Sequence, residues 1–291
     1  MSNYALSGAL LLLAAAPAAP ANAQIPTKIY AQQLVDETVA KNPELLVVVM
    51  HVTPPKSAES VIVASNIGGI GKKTDADDLR VIQTNVPKRK LADGGTRFEV
   101  ELPLSDTSGT TVGALDLVFP YAAGGDQTAL QRKAERIRDG LSRRILNEAN
   151  LMDPYPMDPL TSTKTRAQKL VDQAMARHPE VLSLAMHVTL PNSSDNVILG
   201  SSFGRIGKKA DEDDMKVIVS GKTASGIYAA GKRFGLELVL QDVRGTTIGS
   251  LNVAYPYKAG GDELALRGAE KIRDELRAQI DSVEQLVALD P

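Results

Sequence analysis

Two of the three histidines in this 291-residue chain lie at matching places of a duplicated sequence. The segment Met50–Thr53 returns 136 residues later as Met186–Thr189, with His51 and His187 in the same position. An imidazole can hydrogen-bond a ligand, transfer a proton or bind a metal ion. One histidine per repeat is too few for a tetrahedral zinc site. Three roles therefore stay open: a residue that holds the following turn through a backbone carbonyl, a pocket-lining group, and a metal or haem ligand.

The densest charged segments of the chain are also duplicated. Gly71–Asp78 and Gly207–Asp214 each carry two lysines followed by a run of acidic residues. The lysines could bind a ligand carboxylate while an aspartate binds an amine. The aspartates could instead ligate calcium, although the glycine and distal glutamate of the usual calcium loop are missing. The third alternative is a helix start, where acidic side chains are stabilised by the helix dipole.

A pair of arginines, Arg97 and Arg233, begins equivalent predicted strands. Each could bind a carboxylate with both arms of its guanidinium group, or could pair with Glu101 or Glu237 four residues on. Small hydroxyl residues near the ends of other strands complete the candidate set. The candidate ligand-binding residues are His51, Thr53, Ser65, Lys72, Lys73 and Arg97 in the first repeat, and His187, Thr189, Ser201, Lys208, Lys209 and Arg233 in the second.

Several kinds of chemistry are excluded by composition. The chain has no cysteine, so disulfides, thiolate metal sites and cysteine nucleophiles are ruled out. A net charge of −2 and the absence of tryptophan disfavour nucleic acid as a partner. The sequence contains no P-loop and no dinucleotide-binding G-x-G-x-x-G. We therefore assign no catalytic residue and no metal ligand, and the cofactor is unknown.

The N-terminus resembles a secretory signal peptide. Residues 1–23 contain no charged side chain and end in Ala21-Asn22-Ala23, a typical cleavage pattern before Gln24. An uncleaved anchor is the alternative. No later segment is apolar enough over a sufficient length to predict a membrane span. The sequence thus predicts a bacterial protein of the periplasm or the exterior.

The duplication extends through most of the chain after the signal. It predicts one domain at residues 28–148, a proline-rich linker at residues 149–163 and a second domain at residues 164–287. The linker contains Pro154, Pro156 and Pro159, which favour an extended, stiff connector.

Each repeat reads as a helix, two strands, a small helix, two strands and a helix. This order predicts an α+β fold with an antiparallel sheet flanked by N- and C-terminal helices. Strand parity places Val48, Met50 and Val52 on one face and Val49 and His51 on the other. The second face is the more polar one, as expected where a sheet lines a pocket.

These elements resemble the Cache (or PDC) domain, an extracytoplasmic PAS-like sensor fold, in both repeats. In the first repeat the features that carry the resemblance are the helix ending at Asn42-Pro43, the strands Leu45–Thr53 and Val61–Ser65, the turn Ile70-Gly71 with its acidic residues, and the strands Phe98–Leu104 and Val112–Phe119. The resemblance implies binding of small extracellular ligands such as amino acids and carboxylates. Cache domains usually lie between two membrane helices of a receptor, and no second span follows here, so a free binding protein or a separate signalling partner is implied.

Our leading expectation is an exported, non-enzymatic protein that binds or senses a carboxylate- or amino-acid-like metabolite. One alternative is a periplasmic metal- or haem-binding protein that uses the paired histidines. Another is an interaction module that binds a membrane receptor or a second copy of itself.

Overall fold

The computed structural model describes residues 28–290, so the signal peptide expected at residues 1–23 lies outside the described residues. The first repeat contains β1 (Lys28–Ile29), α1 (Tyr30–Lys41), β2 (Val47–Val52), β3 (Val61–Ser65), α2 (Ala76–Thr84), β4 (Lys88–Ala92), β5 (Arg97–Ser105), β6 (Thr111–Pro120) and α3 (Gln127–Ser142). A connector with α4 (Glu148–Leu151) and β7 (Pro154–Tyr155) follows. The second repeat contains α5 (Arg166–Arg177), β8 (Ser183–Thr189), β9 (Asn196–Ser201), α6 (Glu212–Ser220), β10 (Ala224–Tyr228), β11 (Arg233–Gln241), β12 (Thr247–Pro256), α7 (Asp262–Arg277) and α8 (Val283–Val287).

Both repeats form a five-stranded antiparallel sheet, in the orders β3-β2-β6-β5-β4 and β9-β8-β12-β11-β10. The predicted α+β class with flanking helices is confirmed. Each sheet has one strand more than expected, because β4 and β10 pair with the following strand at the sheet edge. Strand β4 is rich in lysine and arginine, which is typical of an exposed edge and conceals the apolar alternation of a strand.

One face of each sheet packs on an apolar core beneath the long helices. In the first repeat Val48, Met50 and Leu115 are fully buried on this face, together with residues of α1 and α3. Burial of each large apolar side chain contributes about 1.5–3 kcal/mol to the free energy of folding. The opposite face carries Val49 and His51, as strand parity predicts, and is covered in part by α2.

The connector is more closely packed than a stiff extended linker. Leu151 lies in the first core, and the fully buried Asn150 donates a hydrogen bond from Nδ2 to the carbonyl oxygen of Phe203 in the second repeat (3.0 Å). Strand β7 pairs with β1 at the start of the described chain. Leu151 therefore packs on the first repeat and Asn150 contacts the second. The proline content of the connector does not predict these contacts.

A buried arginine makes the most strongly charged contact between the repeats. Arg233, at the start of β11, places Nη2 3.0 Å from Oδ2 of Asp106 and donates to the carbonyl oxygen of Leu146 at 2.6 Å. Asp106 lies in the turn between β5 and β6. The ion pair joins the two repeats, and both of its side chains are almost inaccessible to water.

Among residues 28–290, none of the helices combines the length and apolarity that a bilayer crossing requires.

Candidate functional site

A cavity of about 490 Å³ lies on the polar face of the first sheet, beside α2. Its walls come from β2, β5 and β6 and from the start of α2. The polar lining residues are His51, Asp75, Asp78, Asp93, Arg97, Glu99 and Asp116. The lining thus holds five carboxyl groups and one guanidinium group, and one of the carboxyl groups, Glu99, lies 3.2 Å from Nζ of Lys90.

The helix start at α2 explains how an aspartate enters this cavity. The side chain of Asp75 accepts hydrogen bonds from the backbone N–H groups of Asp77 and Asp78, which caps the helix. Capping in this way places Asp78 in the first turn, where its side chain is buried against the sheet. In the second repeat, Asp211 and Asp214 form a capping box at the same place. The helix-start alternative therefore accounts for Asp75 and Asp211, while Asp78 takes part in the site.

His51 is buried between two carboxyl groups and a hydroxyl group. Its Nε2 lies 3.3 Å from Oδ2 of Asp78 and 3.2 Å from Oδ2 of Asp116. Its Nδ1 lies 3.2 Å from Oγ1 of Thr74, which hydrogen-bonds Oγ of Ser60 at 2.8 Å. These partners are side chains, in contrast to the backbone carbonyl expected of a histidine that holds a turn.

Two carboxyl groups are crowded at this point. Burial, together with the neighbouring Asp116, raises the pKa of Asp78 to about 9. Oδ1 of Asp78 and Oδ1 of Asp116 are buried and have no hydrogen-bond partner. At neutral pH, a proton or another cation must therefore reduce the charge of the pair.

Arg97 lines the same cavity from the start of β5. Its Nε lies 3.3 Å from Oδ2 of Asp93, and both side chains are well exposed, at 49% and 62%. The alternative pairing with Glu101 was wrong, because residues four apart on a strand are separated by about 13 Å. Glu101 instead accepts a hydrogen bond from Nζ of Lys90 at 3.1 Å.

The other first-repeat candidates do not line this cavity. Thr53 is exposed just beyond the end of β2, and the Oγ of Ser65 accepts a hydrogen bond from the backbone N–H of Ile67. Lys72 and Lys73 are exposed, and Lys73 pairs with Glu59. The structure thus brings together only His51 and Arg97 from the six first-repeat candidates.

The second repeat has a different cavity, of about 540 Å³, at the corresponding face of its sheet. Glu237 and Asn252 line it, at the positions equivalent to Glu101 and Asp116. None of the six second-repeat candidates lines it. Burial lowers the pKa of His187, whose Nδ1 lies 3.5 Å from Oδ2 of Asp214 without forming a hydrogen bond.

The remaining second-repeat candidates make local contacts. Thr189 accepts a hydrogen bond from Asn196, and Oγ of Ser201 accepts one from the backbone N–H of Phe203. The lysines lie near acidic side chains, at 3.9 Å for Lys208 with Asp211 and 3.1 Å for Lys209 with Asp195. Arg233 lies in the contact between the repeats and not in the cavity.

Sequence reasoning missed Asp116 and Thr74 as partners of His51. Asp116 is the one acidic residue in the otherwise apolar run Val112–Phe119, and an isolated charge in a central strand is a usable signal. Thr74 had no such signal, because it reaches His51 only through the pairing of distant segments.

No family model matches the chain, and no curated protein sequence matches it. Among solved structures it is similar to a protein described as a GAF sensor from Burkholderia vietnamiensis, with 16% identity and a TM-score of 0.29 over 37% of this chain and 69% of that one. It is also similar to the Agobacterium tumefaciens repressor BlcR, with 10% identity and a TM-score of 0.29 over 38% of this chain and 65% of that one, just under two thirds of its length. The chromophore-binding domain of Stigmatella aurantiaca phytochrome P1 matches over 89% of this chain and 99% of that domain, with 10% identity and a TM-score of 0.28. Similarity at this level does not identify a family.

Proposed function

We propose that the chain is a binding protein, rather than an enzyme, for a small amino-acid-like metabolite held in the first-repeat cavity. The observation that carries this proposal is the half-exposed guanidinium group of Arg97 at a cavity whose other polar lining residues are His51 and five carboxyl groups. A volume of about 490 Å³ falls within the range of small-molecule sites, about 300–1,000 Å³.

The pair formed by Arg97 and Asp93 is suited to exchange with a ligand. Exposed ion pairs contribute about 0–1 kcal/mol to stability, so a ligand carboxylate replaces Asp93 at little cost. The guanidinium group then binds this carboxylate through two parallel hydrogen bonds. The released Asp93 and the nearby Glu99 accept hydrogen bonds from a ligand amino group. The excess of acidic groups favours amino acids that carry an additional positive charge.

Calorimetric titration and thermal-shift measurements of the full chain with the twenty amino acids and short dicarboxylates test this proposal. We expect at least one amino acid to bind and to raise the melting temperature by several degrees at about 100 times its dissociation constant. Arg97→Ala should weaken that binding at least tenfold, since it removes the carboxylate contact. Arg80→Ala, an exposed position on α2 outside the cavity, should leave it unchanged. Equal binding by the two variants, or no binding by any compound, would contradict the proposal.

We also propose that this binding occurs after export to the periplasm or the exterior. The support is the uncharged segment at residues 1–23 with its Ala21-Asn22-Ala23 pattern. Expression in a bacterial host followed by fractionation and N-terminal sequencing should give a chain that begins at Gln24 outside the cytoplasm. A cytoplasmic chain that keeps residues 1–23 would refute export.

A further inference from the structure

Three side-chain atoms of the kinds that bind metal ions, one imidazole nitrogen and two carboxylate oxygens, lie close together in the first-repeat cavity. His51, Asp78 and Asp116 each direct one donor atom to a region where all three lie within 4.8 Å of one another, and this is the one such group among residues 28–290. We propose that these three residues form a site for a divalent transition-metal ion. The inference does not depend on the organic ligand proposed above, because that ligand is assigned to Arg97, Asp93 and Glu99.

The distances from Nε2 of His51 to the two aspartate oxygens fit a shared metal ion better than a shared ammonium group. With bonds of about 2.1 Å, the distances of 3.2 and 3.3 Å from Nε2 of His51 correspond to angles of roughly 100° at the ion. An ammonium group with hydrogen bonds of about 2.9 Å would need angles of roughly 70°. Such angles are far below the tetrahedral angles between N–H bonds.

Direct hydrogen bonding explains the arrangement less well. A charged imidazole has one N–H at Nε2, which cannot point at Asp78 and Asp116 together. Charge-assisted N–H···O bonds are also shorter, at about 2.7–2.9 Å, than the two distances observed. A single ion bound by all three groups satisfies each of them.

The surroundings of His51 are those of a metal-binding histidine. Its other ring nitrogen, Nδ1, is hydrogen-bonded to Thr74, and Thr74 is held in turn by Ser60. Histidine ligands of metals almost always donate from their second nitrogen in this way, which orients the ring and its free lone pair.

Unpartnered oxygen atoms provide a second, independent observation. The side chain of Asp78 is only 4% exposed, yet its Oδ1 has no hydrogen-bond partner, and Oδ1 of Asp116 has none either. A buried carboxylate oxygen without a partner is costly. An ion near the two Oδ2 atoms provides a partner for Oδ1 as well when it binds both oxygens of a carboxylate.

The second repeat shows the same fold without the site. Asn252 stands where the first repeat has Asp116, Ala210 where it has Thr74, and Asn196 where it has Ser60. One ligand and both supporting hydroxyl groups have changed together, whereas His187 and Asp214 keep their places. Metal binding should therefore occur in the first repeat alone.

One imidazole and two carboxylates suit Zn²⁺, Co²⁺, Mn²⁺ or Fe²⁺, which accept mixed nitrogen and oxygen ligands. Three protein ligands leave at least one coordination position for water or for part of a ligand in the cavity. The ion would then act as a Lewis acid towards a molecule bound in the cavity.

Titration of the chelator-treated full chain with Zn²⁺, and with Co²⁺ as a visible probe, tests the site. We expect one ion per chain, and Co²⁺ absorption bands that report nitrogen and oxygen ligands. Asp116→Asn, which copies the residue of the second repeat, should weaken binding at least 100-fold. Thr74→Ala should weaken it about 10- to 100-fold through loss of ring orientation. Asp214→Asn, at the second-repeat position equivalent to Asp78, should leave stoichiometry and affinity unchanged.

Circular dichroism and melting curves establish that each variant is folded before titration. Absence of binding by the unchanged chain at millimolar Zn²⁺ and Co²⁺ would overturn the proposal. So would binding that Asp116→Asn and Thr74→Ala both leave intact, since the ion would then lie elsewhere. If Asp116→Asn does not fold, Thr74→Ala against Asp214→Asn decides the question alone.

Discussion

Replacing Asp106 with asparagine should lower the free energy of unfolding by about 3 kcal/mol, because it leaves a buried arginine without its counter-charge. Arg233 is almost inaccessible, and its Nη2 lies 3.0 Å from Oδ2 of Asp106. Asparagine keeps the acceptor oxygen that binds the backbone N–H groups of Ser108 and Thr110, so the turn itself is preserved. Urea denaturation monitored by circular dichroism measures the loss.

The duplicated sequence supplies a matched control for this variant. Asp242 occupies the same turn position in the second repeat and accepts the backbone N–H groups of Arg244 and Thr246. Its charged partner, the side chain of Arg244, is 68% exposed. Asp242→Asn should therefore cost less than about 1 kcal/mol. Equal losses in the two variants would show that the turn, and not the buried arginine, determines the effect.

Replacing Glu237 with glutamine should stabilise the protein at alkaline pH, on the order of 2 kcal/mol. Burial, and then the neighbouring Asp214, raises the pKa of Glu237 to about 8, above its value in the unfolded chain. The folded state therefore binds a proton that the unfolded state has lost. The favourable contribution of Glu237 is fully present below pH 4.5 and disappears as the pH rises through about 8. Glutamine does not titrate, so the free energy of unfolding of the variant does not fall in this way as the pH rises.

Unfolding free energies of both proteins at several pH values from 4 to 9 measure this effect. The difference between variant and unchanged protein should increase from about pH 4.5 to about pH 8 and then level off. Glu101→Gln is the control. Glu101 is the first-repeat equivalent of Glu237, but it accepts a hydrogen bond from Lys90, and the second repeat has Gly226 in place of that lysine. Loss of that ion pair opposes any gain, so its pH-dependent stabilisation should be smaller. A pH-independent difference for Glu237→Gln would contradict the assigned protonation.

The sequence predicts the architecture well because its strongest signals are local. Helical spacing, strand parity and the duplication suffice for the α+β class and for the opposite orientation of Met50 and His51. Edge strand β4 was missed, because its lysines and arginine show no apolar alternation. The tight turn that lets β4 pair with β5 contains Gly94 and Gly95, both at positive φ.

The site was predicted only in part, because its members meet through tertiary pairing. His51 could be selected from its repetition, and Asp116 carried a weak signal as an isolated acid in a strand. No local signal distinguishes Arg97 from Arg233, although the first lines a cavity and the second binds the other repeat. Equivalent residues acquire different partners when one copy lies against the other, and that arrangement has no sequence periodicity.

The contact made by Arg233 has a consequence for assembly. It joins the start of a strand in one copy to the turn of the other, so the two surfaces are different, and a head-to-tail contact of this kind can in principle add copies without limit. The free turn of the second repeat carries Arg244 where the first has Ser108, and its guanidinium group already binds Asp242 at 2.8 Å. An arginine from another chain, such as the exposed Arg97, meets an occupied carboxylate and a like charge. We therefore expect Arg244 to disfavour the addition of a third copy of the fold through this contact.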